Sequence, residues 1–155
     1  MAPRFDLAWR WVPAPPNGSG GWVVDYLIDG QSLFERCTKR MPGEAFLSPI
    51  TYSIEEDVLL PEQPPDLDGR VAIFVCWVCG DLDCGAVTVV IERDGDEIVW
   101  RDLAHSYPDW DSVDEAWVHR EYPDLSELRF DSTAYRAAIA ALPAETPGWP
   151  PDRPG

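Results

Sequence analysis

Residues 70–102 read RVAIFVCWVCGDLDCGAVTVVIERDGDEIVWRD. Val71 to Val78 is a short apolar run rich in β-branched and aromatic residues, the signature of a buried strand. Ala86 to Glu92 is a second such run and Glu97 to Arg101 a third. Asp94-Gly95 separates the last two, and that pair suits the positive φ angles of a tight hairpin. Three consecutive antiparallel strands make a meander. One of its faces must be buried, and helices are the expected cover.

The connection between the first two strands is Cys76-Trp77-Val78-Cys79-Gly80-Asp81-Leu82-Asp83-Cys84-Gly85. Cys-x-x-Cys-Gly has the shape of a metal knuckle. Two thiolates at that spacing grip one ion, and the glycine lets the following backbone N–H groups turn toward sulfur. Cys84-Gly85 repeats its second half. Cys76, Cys79 and Cys84 thus offer three ligands to a tetrahedral zinc, with Cys37, His105 or His119 as the fourth. Buried structural thiols without metal, or a local Cys79–Cys84 disulfide, fit the same residues. A redox role fits less well. The motif joins two strands, whereas a lowered thiol pKa calls for a helix N-terminus. Asp81 and Asp83 suit turn chemistry.

Outward from the centre, Phe5, Leu7, Trp9 and Trp11 alternate as a strand does. A proline- and glycine-rich loop over 12–21 follows, then a second strand over Trp22 to Ile28 and a turn at Asp29-Gly30. Gln31 to Lys39 reads as a short helix with Leu33, Phe34 and Cys37 on its apolar face. Residues 41–50 are irregular. Residues 51–60 admit a helical turn, with Ser53 and Glu56 resembling a capping box. Residues 61–69 form a proline-rich loop. Past the meander, Ser112 to Arg120 reads as a short helix with Val113, Ala116 and Trp117 on one side. Leu125 to Phe130 reads as an edge strand. Asp131 or Ser132 caps an alanine-rich helix running to Leu142.

These elements predict an α+β fold: an antiparallel sheet of about five strands, with its meander around 71–101 and two or three helices packed on one face. Residues 1–142 form one domain. Residues 143–155 carry five prolines and read as a poorly ordered tail.

The chain has 155 residues and a formal charge of −16. That charge repels nucleic acid and anionic membrane surfaces and favours association with a basic protein. No apolar run approaches a membrane span, and the N-terminus lacks the apolar core of a signal peptide. The four cysteines at uneven spacing fit a reducing cytoplasm. No phosphate loop, nucleophile elbow, zinc-protease helix or dinucleotide fingerprint occurs.

The best candidate for a binding surface is the stretch that interleaves Tyr107, Trp110 and Trp117 with Asp109, Asp111, Asp114 and Glu115. Tryptophan and tyrosine supply rigid contact area, and carboxylates supply steering. The same aromatics also suit a core. His119, on a polar stretch beside Arg120 and Glu121, reads as solvated.

The pattern strand–CxxCGDxxCG–strand–DGD–strand, followed by a Phe-Asp-x-x-x-Tyr-x-x-Ala-type helix from Phe130, resembles a group of small bacterial proteins of GC-rich genomes. The resemblance rests on Val75 to Trp100 and Phe130 to Ala137; it implies a fold and no activity. The acidic, tryptophan-rich composition is similar to that of bacterial immunity proteins. The expected function is a non-enzymatic, immunity- or antitoxin-like binder of a basic partner protein. The alternative is a thiol- or zinc-dependent enzyme built on Cys76, Cys79 and Cys84.

Overall fold

The computed structural model describes residues 3–12, 21–38, 46–47, 59–62, 68–76, 85–114 and 116–143. The fold is mixed α and β and is dominated by antiparallel strands.

β1 (Phe5–Val12) and β2 (Gly21–Ile28) pair without a break, from Phe5 opposite Ile28 to Val12 opposite Gly21. Asp29 and Gly30 then adopt positive φ angles of 52° and 78°. Glycine pays no steric penalty there, and aspartate is among the few other residues that tolerate it. The Asp29 carboxylate fastens this end of the hairpin by accepting from the Arg4 N–H at 2.8 Å. The chain turns back into β3 (Gln31–Ser32), which pairs with β2, and continues as α1 (Leu33–Thr38). Ser32 caps α1, its Oγ accepting from the Glu35 N–H at 3.0 Å. Leu33, Phe34 and Cys37 are buried, as the apolar face of this helix requires.

The second sheet runs β4 (Phe46–Leu47), β5 (Val71–Cys76), β6 (Ala86–Asp94), β7 (Glu97–Pro108) and β8 (Trp117–Glu121), with β9 (Glu127–Asp131) also on β7. The meander expected at 71–101 is therefore β5–β6–β7, with Asp94 and Glu97 paired across its Gly95 turn. β7 is longer than the sequence suggests. Its outer edge is divided between two partners: β9 pairs with Glu97–Arg101 and β8 with Ala104–Pro108.

A bulge lies at the division. On β6, Thr88 faces Ala104 and Val90 faces Arg101, so Asp102 and Leu103 together oppose one residue. Asp102 takes φ 56° there. Its N–H reaches the Ser126 carbonyl at 2.8 Å, and its carbonyl accepts from Arg70 Nη1 at 2.6 Å. A second bulge, at Ile73 on β5, lies between the Ala72 and Phe74 pairings. The Tyr26 hydroxyl, from the other sheet, donates to the Ile73 carbonyl at 3.0 Å. At each bulge a backbone group released from the ladder thus finds a partner elsewhere, as buried backbone requires.

The two sheets share one apolar core with α2 (Ser132–Ala141). Asp131 caps α2 by accepting from the Ala134 N–H at 2.9 Å. Trp100 lies at the centre, edge-on to Phe5, Tyr26, Phe130 and Tyr135, with ring centroids 5.5–6.4 Å away. Its indole N–H donates to the Tyr135 hydroxyl at 3.1 Å, and that hydroxyl donates to the Leu59 carbonyl at 2.6 Å. Both polar tips are therefore paired where water cannot reach them.

Several expectations are changed or refined. The described strands form two sheets, of three and six strands, in place of one sheet of about five. The described residues hold two α-helices, α1 and α2. Ser112–Arg120 is not helical: residues 110–114 turn, and β8 begins at Trp117. The strand expected near Leu125 starts at Glu127, after a 3-10 turn at Pro123–Leu125. The capping box at Ser53 and the tail beyond Pro143 lie outside the described residues. Among the described residues no helix is long and apolar enough to cross a membrane.

Candidate functional site

The β7–β8 hairpin gathers most of the residues expected to bind a partner. Pro108 pairs with Trp117 at its neck, and the Asp109 N–H reaches the Ala116 carbonyl at 2.8 Å. The tip is folded by its own short polar side chains. Asp109 Oδ1 accepts from the Asp111 N–H at 3.1 Å, and Ser112 Oγ accepts from the Asp114 N–H at 3.2 Å. The Ser112 N–H also bonds the Asp109 carbonyl at 3.0 Å. Such Asx- and Ser-turns take up backbone donors locally, so the loop needs no core beneath it.

This leaves its apolar residues outside. Trp110 is 73% exposed and Val113 96%. The Trp110 ring lies over Tyr107 at 6.3 Å, nearly parallel at 15°. Tyr107 in turn meets His105 at 5.2 Å, and the Arg120 guanidinium lies 5.9 Å from its ring centre. The rings thus form a ladder from the sheet to the tip. Trp117 is half-buried at the neck. Among the described residues, Asp109, Asp111 and Asp114 enter no ion pair. Glu115 lies outside the described residues.

His105 lies against Gly85, the residue that follows Cys84 in the sequence. A Cβ placed on Gly85, the residue after Cys84, would lie 3.1 Å from His105 Nε2 and 3.5 Å from the Ser106 carbonyl. Gly85 has φ +101°, where side chains are strained as well. Gly85→Ala is therefore expected to cost about 1–3 kcal/mol, measured as a lower urea midpoint. An unchanged midpoint would mean that the ring moves aside and that the backbone relaxes out of its positive φ at no cost. Of the cysteines, Cys37 is fully buried among Leu33 and Phe34 and forms no disulfide. Cys76 ends β5. Cys79 and Cys84 lie outside the described residues. Among the described residues no three metal-ligating side chains gather.

Sequence reasoning missed a polar chain crossing the same hairpin. Thr88 and Ser106, both fully buried, share a hydrogen bond of 2.7 Å between β6 and β7. Ser106 Oγ meets His119 Nδ1 at 2.6 Å, and His119 Nε2 meets Asp68 Oδ2 at 2.8 Å. His119 is thus a tie between β7, β8 and the loop before β5, not a solvated side chain. Serine, histidine and aspartate in series invite comparison with a hydrolase triad. Ser106 is fully buried, so this series does not present its hydroxyl to a substrate as a nucleophile. The available signal was two hydroxyl residues at core positions of strands; Asp68 carried none.

A second missed network lines a hollow of about 620 Å³ beside β1–β3, with Arg10, Asp25, Ser32 and Glu35 in its wall. The Asp25 side chain is almost wholly buried. Its carboxylate accepts from Ser32 Oγ at 2.5 Å and from the Phe34 N–H at 3.0 Å, with Arg10 Nη1 3.6 Å away. Arg10 also donates to Ser32 Oγ at 3.1 Å and to Glu35 at 2.9 Å. Burial pushes the Asp25 carboxyl above the ordinary carboxylate range, and the Ser32 and Phe34 hydrogen bonds and Arg10 oppose that. The wall's polar groups serve one another, so the network reads as a fastening of α1 to the sheet.

No family model, curated protein or solved structure matches the chain. Its reading therefore rests on the hairpin itself.

Proposed function

We propose that the chain is a non-enzymatic acidic binding protein that engages a basic partner protein through the tip of the β7–β8 hairpin, in the manner of immunity and antitoxin proteins. One observation carries this reading. The large apolar side chains exposed among the described residues, Trp110 and Val113, stand on one turn. A side chain as costly to solvate as tryptophan, held out on an ordered turn beside unneutralised carboxylates, suits a surface completed by another molecule. The charge of −16 supplies long-range attraction toward a basic surface.

A photo-crosslinking residue at position 113 would capture the partner in the source cell. Trp110→Ala is expected to weaken that complex by about tenfold or more, while stability shifts by no more than about 0.5 kcal/mol. Added salt should weaken the complex further. A captured partner whose affinity ignores both salt and Trp110→Ala would refute the reading.

The placement of His105 against Gly85 favours a second reading of the cysteine turn. In it, Cys76, Cys79, Cys84 and His105 bind zinc, as thiolate and imidazole donors suit. This centre would fasten the β5–β6 connection or serve a thiol- or zinc-dependent activity. Elemental analysis of protein purified without chelator tests it. Zinc at unit stoichiometry, lost in Cys79→Ser and Cys84→Ser, would support it; metal-free protein would end it.

A further inference from the structure

We infer that the group received at the hairpin tip is an arginine side chain of the partner, its guanidinium stacked on Trp110 and its N–H edge turned to the neighbouring aspartates. The inference rests on the tip being the binding surface and names the chemistry it selects. Trp110 has one ring neighbour, Tyr107, among the described residues, and the indole is otherwise largely open to solvent. An indole face attracts cations more strongly than any other aromatic side chain does. Asp109, Asp111 and Asp114 lie within four residues of it, and the turn that carries them is held by its own hydrogen bonds.

The tip therefore offers a ring and carboxylates together, and a guanidinium satisfies both. It is planar and weakly hydrated, so it stacks without losing much solvation. Its donors point outward in the ring plane, where a carboxylate can take two of them. An ammonium is a compact, strongly hydrated charge; it can pair with an aspartate but gives up more water to sit on the indole. The chain already holds a guanidinium over one ring of this ladder, with Arg120 5.9 Å from the Tyr107 ring centre. A partner arginine on Trp110 would extend that series by one step.

The test uses the whole chain and two peptides, Gly-Arg-Gly-Arg-Gly and Gly-Lys-Gly-Lys-Gly, capped at both ends. With eight tryptophans, bulk fluorescence cannot isolate one ring. The Trp110 indole N–H resonance, assigned by its loss in Trp110→Phe, is followed instead at low salt. The arginine peptide is expected to bind about two- to fivefold tighter than the lysine peptide. Asp111→Asn with Asp114→Asn should weaken both peptides. In Trp110→Ala the arginine preference should vanish, read from the backbone resonances of residues 109–114; an unchanged thermal melt would show that the fold is intact. Equal, salt-sensitive binding of both peptides would overturn the arginine assignment and leave the acidic-binder reading standing. No shift at Trp110 with either peptide would overturn both.

Discussion

Trp100→Ala is expected to remove about 3–5 kcal/mol of stability. That is a large share of the ~5–15 kcal/mol typical of a domain. Trp100 is 1% exposed and touches aromatic rings from β1, β2, β9 and α2. Truncation would leave a void the size of an indole between two sheets and a helix. Four rings set edge-on by their own strands and helix cannot all close on it. Equilibrium urea unfolding should show a lower midpoint at an unchanged slope. Trp110→Ala provides the control, because the same chemical change at an exposed site should leave the midpoint nearly unmoved. Equal effects at the two positions would contradict the core described above.

The second large effect is expected at Asp25. Asp25→Ala leaves the Phe34 N–H and the Ser32 hydroxyl without the acceptor they now share, at about 1–3 kcal/mol for each buried group. Losing a poorly solvated charge offsets part of that. A net loss of about 2 kcal/mol at neutral pH is expected. The pH dependence follows from the direction of the shift. Burial raises the carboxyl in the folded chain above its unfolded value, so folding takes up a proton between the two. The contribution of Asp25 is fullest below the unfolded pKa and declines as pH rises through the folded one. Glu62, Asp94 and Glu127 are held low by arginine neighbours and act in the opposite sense. Because they are present in both proteins, they cancel in the difference. The stability gap between the parent chain and Asp25→Ala should therefore narrow from acid toward neutral pH. A gap that widens would mean that hydrogen bonds and Arg10 outweigh burial.

Much of the strand content could be read from alternation. Phe5, Leu7, Trp9 and Trp11 marked β1, Asp94-Gly95 marked the turn into β7, and the Asp131-Ser132 pair marked the start of α2, where Asp131 proves to be the cap. The division into two sheets could not be read, because β2 and β5 show similar apolar runs and nothing local says which strands share an edge. β8 was missed for a specific reason. Val113, Ala116 and Trp117 are spaced like a helical face, yet Val113 is 96% exposed and faces no core. The segment instead satisfies the open half of β7, a tertiary demand that overrides local pattern. At the candidate surface, Tyr107, Trp110 and the aspartates were legible as an aromatic–acidic alternation, and the structure places them on one hairpin. The His119–Asp68 contact was not, because it joins residues 51 positions apart, one on β8 and one in the turn before β5.

The shared edge of β7 gives the molecule something like a removable fitting. β9 and the central tryptophan hold one half of the long strand, while the hairpin that carries Trp110 is rooted in the other half, beyond the Asp102 bulge. Lengthening, shortening or rewriting residues 109–116 would leave that anchorage untouched. One scaffold could then carry a different tip, by evolution or by grafting, without being rebuilt.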